Sequence, residues 1–438
     1  MEELLELALQ QASSAEVFVA SSEGAVVHFE ANKVKQLENR QSTTVALRII
    51  REGRIGFAAA SGAYKPERLV EMAVETSAYG AEAQFDFPST PPMMGPKTYD
   101  SRIVELETDT LIEMGTSVID RVTSAYADVQ CEGLVSISAG MVQIVNSAGL
   151  DVSSRRTSIG AMMEGVRISG TDMLFVGDSI SSGELLTNVS PIADTMLAQL
   201  ARAAELSHIE TGSYPVLFTP HGVDVALLLP LAVAFNGKNV VEKSSRLAGR
   251  QGEKIFTSAL SLWDDSTVEG RPTTSPFDAE GVPSRRIPLI EDGVVGEMLY
   301  DLQTAAEAGT GSTGSGRRGD ARSQVRPGMS AFVVGGGDTS FQQMLTSIDE
   351  GLVVEELIGA GQGNLLSGDF GGNVLLGYKV EKGKIVGRVK DTMIAGNIID
   401  SLSRDVVIGN DTRWVGGNLF TPSLLCEGIS VSSKGGDE

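Results

Sequence analysis

The stretch VSISAGMVQIVNSAGLDVSSRRTSIGAMMEGVRISG, residues 135–170, decides the fold class of this 438-residue chain. Apolar and polar or small residues alternate on both sides of NSAG, residues 146–149. Such alternation is typical of β-strands with one buried face, and a short Asn- and Gly-containing segment is typical of a tight turn. The stretch therefore predicts two antiparallel strands joined as a hairpin, within a run of strands over 128–179.

Amphipathic helices are predicted around these strands, because apolar residues recur there at helical spacing. The predicted ranges are 2–12, 66–83, 109–126 and a helix that starts at 190. Thr110 and Glu113 predict a capping box for the third helix, and Ser190 and Pro191 predict the N-cap and first position of the fourth. The first half of the chain is thus expected to be α+β, with an antiparallel sheet and flanking helices.

The composition of the chain changes after about residue 208, where glycine becomes more frequent and the strands less regular. RRIPLIEDGVVGEMLYDL (285–302) and GNVLLGYKVEKGKIVGRV (372–389) predict hairpins that turn at EDG and EKG. We therefore expect an α+β protein of two domains whose C-terminal domain is mostly β, a barrel- or sandwich-like antiparallel sheet. The predicted ranges are 1–208, with a Pro-rich loop at 85–98, and 209–438.

Charge and cysteine content exclude several classes of protein. The formal net charge is −22, which argues against direct binding of nucleic acid. Two cysteines cannot form a disulfide framework. The N-terminus lacks the pattern of a signal peptide, and the longest apolar run, Val225 to Phe235, is far shorter than the ~20 residues of a membrane span. We expect a cytoplasmic protein that does not bind membranes.

Residues with metal-binding or nucleophilic chemistry are few. The three histidines, His28, His208 and His221, show no H-x-x-x-H spacing, so scattered histidines are the favoured interpretation. A site shared by His208, His221 and a carboxylate stays open as an alternative. Cys426 lies in an apolar, strand-like segment, which favours a buried structural thiol over a nucleophile.

A glycine-rich loop is a second candidate site. GTGSTG (309–314) matches G-x-G-x-x-G, but it follows a helical run rather than a strand, which argues against nucleotide binding. Backbone N–H groups of the loop and neighbouring arginines could instead hold a peptide carboxylate. Alternatively, these arginines pair with the chain's own carboxylates. The candidate binding residues are Ser312, Thr313, Gly314, Arg317 and Arg318.

Several segments occur in an order that resembles the TldD/PmbA family, whose members are often labelled modulators of DNA gyrase. The N-terminal segment is VKQLENRQSTTVALRIIREGRIGFAAAS. The C-terminal segments are VVEKSSRLAGRQGEKIF, SPFDAEGVPSRRIPLIEDGVV, YDLQTAAEAGTGSTGSGRRG, SGDFGGNVLLGYKVEKGKI and TMIAGNIIDSL. The resemblance covers nearly the whole chain and implies two domains and assembly into dimers.

The resemblance also implies where a metal site would lie. The TldD branch carries H-E-x-x-x-H on a helix and a late cysteine, and acts as a zinc metallopeptidase. That helix corresponds to TPHGVDVALLLPLAVAFNG (219–237), where Leu229 and Ala234 stand at the histidine positions and Pro230 at the glutamate position. Thr421 stands at the cysteine position. Apolar side chains cannot bind zinc, and Pro230 is predicted to kink or break the helix.

The leading hypothesis is a PmbA/TldE-like subunit that lacks the metal site of a TldD-type metallopeptidase. Such a subunit would bind or enclose extended peptides, for example at an exposed strand edge. Its expected partner is a TldD-like protein, as a heterodimer, or a second copy, as a homodimer. Zinc is expected only in the TldD-like partner, with no cofactor and no catalytic residue in this chain. The alternatives are a stand-alone hydrolase of unknown mechanism and a non-catalytic homo-oligomer that binds peptides or a protein such as gyrase.

Overall fold

The computed structural model describes residues 1–91 and 95–434. The N-terminal part is one antiparallel sheet of six strands in the order β3-β2-β1-β4-β5-β6, with helices packed on one face. Its elements are α1 (Glu2–Leu9), β1 (Ser14–Glu30), β2 (Lys33–Arg51), β3 (Arg54–Ser61), α2 (Pro66–Ser77), α3 (Ser101–Val104), α4 (Thr108–Ala125), β4 (Val129–Asn146), β5 (Asp151–Ser169), β6 (Asp172–Ser182) and α5 (Ser190–Arg202).

The strands alternate as the sequence predicted, and the alternation separates two layers of side chains. Along β1, Val17 and Val27 face the helical layer, whereas Phe18 faces the opposite side and packs with Phe277 of the C-terminal part. The hairpin of β4 and β5 turns at the predicted NSAG, where Gly149 has a φ of 93° that favours glycine. The fold class and this hairpin are therefore confirmed.

Both edges of the six-stranded sheet are blocked by a side chain from an adjacent helix. The Thr76 hydroxyl accepts from the N–H and donates to the carbonyl of Phe57 on β3, both at 2.9 Å. The Gln199 amide accepts from the N–H of Gly177 on β6 at 2.8 Å and donates to its carbonyl at 3.2 Å. Since open edges invite pairing with other chains, these contacts protect the sheet at those positions.

The C-terminal part is mostly β, with short helices. Its elements are β7 (Leu206–Ser207), β8 (Gly212–Phe218), α6 (Pro220–Val223), α7 (Leu229–Ala234), α8 (Gly237–Val241), β9 (Leu262–Asp265), β10 (Arg286–Glu291), β11 (Val294–Val295), α9 (Leu302–Glu307), β12 (Gly316–Arg317), β13 (Arg326–Pro327), β14 (Phe332–Val334), α10 (Phe341–Ser347), β15 (Glu350–Ile358), β16 (Asp369–Glu381), β17 (Lys384–Val389), β18 (Thr392–Asn397), α11 (Ile398–Ser403), β19 (Val407–Ile408), β20 (Arg413–Val415), β21 (Leu419–Thr421) and β22 (Leu424–Ser433).

Five of these strands close into a barrel in the order β15-β8-β22-β18-β16, because β15 also pairs with β16. A second sheet has the order β11-β10-β9-β14-β21-β20. Phe218 and Phe370 meet edge to face in the core, with ring centroids 6.1 Å apart. The predicted barrel-like C-terminal domain and both predicted hairpins, at EDG and EKG, are confirmed. The boundary near residue 208 stays a proposal; β7, just before it, already pairs with β17.

The helix that corresponds to the zinc motif continues through Pro230 instead of breaking there. Thr219 caps its start by accepting from the N–H of Gly222 at 3.2 Å, as predicted. Residues Asp224–Leu228 form a π-helical turn, and Pro230 follows in the first turn of α7. The predicted break is therefore wrong, and the helix changes its hydrogen-bonding pattern before the proline instead.

Several local predictions differ from the structure at helix ends; helix α1, predicted over 2–12, ends at Leu9. The capping box of Thr110 and Glu113 is wrong, because α4 already begins at Thr108 and its N-cap residue is Glu107. Ser190 is the first helical residue of α5 rather than its cap. Helix α2 ends at Ser77, earlier than expected.

The predicted Pro-rich loop at 85–98 has no helix or strand in the residues that the structure describes, and 92–94 lie outside them. Within those described parts of the chain, no helix is long and apolar enough to cross a membrane.

Candidate functional site

A cleft of about 310 Å³ lies where the N-terminal sheet meets the C-terminal domain. Its walls come from the edge strand β6, from the start of the α6–α7 helix, from β15 and β16, and from the end of β20. Strand β5 and helix α5 also contribute, so segments that are far apart in the chain meet at one small depression, which is typical of ligand sites at domain junctions.

Asp178 on β6 is the buried centre of the cleft. His221 Nε2 lies 2.9 Å from its Oδ1, Arg413 donates to its Oδ2 at 2.8 Å, and the Thr195 hydroxyl donates at 2.6 Å. Burial alone would raise the pKa of Asp178, but the hydrogen bond and charge of His221 and the charge of Arg413 lower this pKa to about 2. Asp178 is therefore ionised and holds the His221 ring in place.

An irregularity in the pairing of β15 with β16 brings two adjacent glutamates to the cleft. Glu355 is buried and accepts from the Gln199 amide at 2.8 Å and from Arg202 at 2.9 Å. Glu356 has no such cation: burial, together with the charges of Asp224 and a further glutamate, raises its pKa to about 7 despite the charge of His221. Glu356 can therefore exchange a proton near neutral pH.

Asp224 contributes a further carboxyl group to the cleft. It lies on the same helix as His221, one turn after it. Burial raises the pKa of Asp224, while the charge of His221 opposes this effect. Glu164, on the exposed face of β5, completes the acidic lining. Among the residues that the structure describes, no ion pair joins Glu164, Asp224 or Glu356 to a Lys or Arg.

The positions that correspond to the zinc motif lie away from this cleft and do not fit a metal. Leu229 is 47% exposed, whereas Ala234 is only 6% exposed and belongs to the apolar core. Pro230 is also buried. The Thr421 hydroxyl donates to the carbonyl of Pro422 at 3.0 Å. No group of three or more His, Cys, Asp or Glu side chains in the described ranges is arranged to hold a metal ion. The residues at the motif positions therefore do not fit a zinc ion.

The other candidate metal ligands and the candidate nucleophile have separate surroundings. His208 lies 3.4 Å from Glu210, and His221 is held by Asp178, so the predicted pair does not share ligands. Cys426 is buried on β22, and burial raises the pKa of its thiol to about 12. A thiol in that state is a structural residue rather than a nucleophile.

The glycine-rich loop is held by the protein itself and lines no part of the cleft. The Ser312 and Thr313 hydroxyls donate to the Tyr300 carbonyl at 3.1 and 3.2 Å. Arg318 is 4% exposed, donates to the Ser323 carbonyl at 2.7 Å, and lies 3.5 Å from the carboxylate of Glu16.

Gly314 and Arg317, the remaining predicted residues of this loop, also have internal contacts. The N–H of Gly314 donates to Ser312 at 3.2 Å, and Arg317 donates to the carbonyl of Gly316 at 3.3 Å. The contact of Arg318 with Glu16 agrees with the alternative in which these arginines pair with the chain's own carboxylates, whereas Arg317 donates to a backbone carbonyl. A peptide-binding role for the loop stays a prediction.

The cleft itself was missed by sequence reasoning. His221 was noted only as a metal candidate, and Asp178, Glu356 and Arg413 were not singled out. They come from segments far apart in the chain and share no spacing motif. The spacing of His221 and Asp224, three residues apart on a helix, was the one available signal, because such residues lie on the same helical face.

Two models of known protein families match this chain. A model described as the PmbA/TldA metallopeptidase C-terminal domain matches residues 211–433, and a model for domain 1 of the same proteins matches residues 15–77. The chain belongs to the PmbA/TldD family. The resemblance seen in the sequence motifs is therefore confirmed.

Relatives of this PmbA/TldD-family chain match it over nearly its whole length. An uncharacterized protein of Methanocaldococcus jannaschii is 26% identical over 435 residues, which cover 99% of this chain and 100% of that protein. A metalloprotease of Methanothermobacter thermautotrophicus is 24% identical over 412 residues, 91% of this chain and 88% of its own. The crystal structure of TldE from Thermococcus kodakarensis has the same fold, with a TM-score of 0.88, 24% identity and coverage of 99% and 100%.

Proposed function

We propose that this chain is the subunit without a metal site in a heteromeric TldD-type metallopeptidase, and that it helps to bind extended peptides. The observation that carries the proposal is the replacement of all three ligand-type positions of the motif helix by Leu229, Pro230 and Ala234. Apolar side chains and a proline can neither bind zinc nor activate water. Membership of a metallopeptidase family without these ligands favours a supporting role beside a zinc-containing subunit.

The cleft around Asp178 and His221 is the part of the chain to which we assign peptide contact. The edges of the N-terminal sheet are blocked at Phe57 and Gly177 by side chains, so they offer no open ladder for an added strand at those points. The cleft has both apolar and polar walls and is open to solvent. Peptide binding at an exposed strand edge elsewhere in the chain stays a prediction.

The test is co-expression with a TldD-like protein of the same organism, followed by gel filtration and peptidase assays. We expect a stable complex that contains zinc, cleaves unstructured peptides and loses activity when the two chains are separated. This chain alone should retain no zinc after dialysis and should cleave nothing.

A matched control uses the TldD-like protein with its motif histidines changed to alanine. That complex should still form but be inactive, which would place the chemistry in the partner. If the two proteins elute separately and the TldD-like protein alone is fully active, the proposal is wrong. Stoichiometric zinc in this chain would favour the stand-alone hydrolase.

A further inference from the structure

The cleft between β6, the α6–α7 helix and β15 is lined by several carboxyl groups. Two of them are paired with an arginine: Glu355 with Arg202, and Asp178 with Arg413. Within the described residues, no Lys or Arg forms an ion pair with the other carboxylates of this cleft. Burying charge without a partner is unfavourable, so a bound cation would stabilise the site.

The apolar part of the cleft wall also limits which ligand can bind. Its wall includes Met162, Phe175 and Leu375, and the side chain of Met162 is 39% exposed there. A compact inorganic cation would gain nothing from these apolar groups. A long side chain with methylene groups and a charged end would use both parts, because such side chains bury their stems and leave the head among polar groups.

His221 restricts what the cleft can accept. Its Nε2 lies 2.9 Å from Asp178, and its ring lies close enough to Asp224 and Glu356 to affect the pKa of both. The nearby Arg413 is already occupied by Asp178. An acidic peptide does not fit, because its carboxylate would lie beside the carboxylates of the cleft without a cation to pair with.

We propose that this cleft binds the side chain of a lysine or arginine of a peptide, with the stem against Met162 and Phe175 and the cationic head among Glu164, Asp224 and Glu356. The inference rests on the proposed peptide-binding function and names the class of substrate residue that this subunit selects. Charge-assisted hydrogen bonds from an ammonium or guanidinium group to these carboxylates give the selectivity.

The test measures binding of two blocked tripeptides to the full chain by calorimetry. Acetyl-Ala-Lys-Ala-amide carries the ammonium, and acetyl-Ala-norleucine-Ala-amide lacks it, because the norleucine side chain ends at the carbon that corresponds to Cε of lysine. We expect the lysine peptide to bind at least about tenfold more tightly than the norleucine peptide. Equal affinities, or no binding of the lysine peptide, would overturn the proposal.

Two variants locate the binding. Glu356→Gln and Asp224→Asn remove charge with little change in shape, and each should weaken binding of the lysine peptide about tenfold without affecting the norleucine peptide. Glu113→Gln, at an exposed position of α4, makes the same change in net charge and should bind as the unmodified chain does. Unchanged affinity in both cleft variants, with thermal unfolding confirming that they are folded, would contradict the assignment.

The complex with a TldD-like protein separates this inference from the proposed function. If the complex forms and cleaves lysine and norleucine peptides equally well, the proposed function stands and the cation site is wrong. If no complex forms while the lysine preference is measured on this chain, the cation site stands and the subunit role is wrong.

Discussion

Arg48 of the N-terminal sheet donates from Nη1 to Oε1 of Glu280 in the C-terminal part at 2.6 Å. Its Nη2 also donates to Glu16 at 2.9 Å, and its guanidinium lies over the rings of Phe85 and Phe87 at about 5 Å. All of the charged groups are buried. The contact between the two parts of the chain therefore depends on buried charges that must stay paired.

Arg48→Met should destabilise the protein by roughly 3–5 kcal/mol, because it leaves the Glu16 and Glu280 carboxylates buried without their cation. Urea unfolding followed by circular dichroism measures the change. The matched control is Arg40→Met, whose exposed pair with Glu38 is screened by water and should leave the free energy of unfolding unchanged. Equal effects of the two variants would show that the buried pairing contributes nothing.

Stability should rise when the pH falls from 8 to 6. Burial raises the pKa of Asp278 and Glu356 to about 7 and that of Asp264 and Asp301 to about 6, and the charge of Glu280 adds to the effect for Asp278 and Asp301. An acid whose pKa is higher in the folded state binds more protons there, so stability is lost as the pH rises through 6–7.

Thermal unfolding between pH 8 and pH 6 measures this dependence, and we expect the free energy of unfolding to be larger at pH 6 by at least about 1 kcal/mol. Asp178 acts in the opposite direction only at lower pH, since its pKa of about 2 lies below the usual value. Glu356→Gln should flatten the slope. A stability that falls steadily from pH 8 to 6 would contradict the assignment of raised pKa values.

Leu229→His combined with Ala234→His should not create a tight zinc site. Leu229 is on the surface, whereas Ala234 packs in the core, so the two introduced imidazoles would not face one another. Pro230 stands at the glutamate position and Cys426 is buried on β22, so neither residue supplies a further ligand. Metal analysis after dialysis should give much less than one zinc per chain, and one retained zinc would refute this.

Gln199→Leu should both destabilise the chain and make it prone to association. The change leaves the N–H and carbonyl of Gly177 without their partners and removes one donor from Glu355, at a cost of about 1–3 kcal/mol. Gel filtration at increasing concentration should reveal oligomers that form at the opened edge of β6.

Gln342→Leu, on the exposed face of α10, is the control for this change in polarity, since its side chain makes only a 3.5 Å contact with Thr346. It should remain monodisperse to the same extent as the unmodified chain. Association of both variants to an equal degree would attribute the effect to surface hydrophobicity rather than to the edge of β6.

Prediction from sequence succeeded where a local pattern carries the information. Alternation over 135–170 and the turn at 146–149 identified β4 and β5 because a strand with one buried face repeats every two residues. Helix ends were less exact: α4 begins before Thr110, which no pattern in the apolar residues could fix. The motif helix showed the same limit, since the π-helical turn before Pro230 was not predicted.

The sequence by itself determined the two-part α+β architecture, the family and the absence of zinc ligands at the motif positions, because these depend on residue type and local periodicity. Only the tertiary structure decided that Asp178, His221 and Glu356 share one cleft and that the arginine beside the glycine-rich loop, Arg318, is buried against Glu16. Distances between segments more than a hundred residues apart follow from strand pairing and packing. The pKa of Glu356 is raised, and the carboxyl groups of the cleft come together, only when those segments pack against one another.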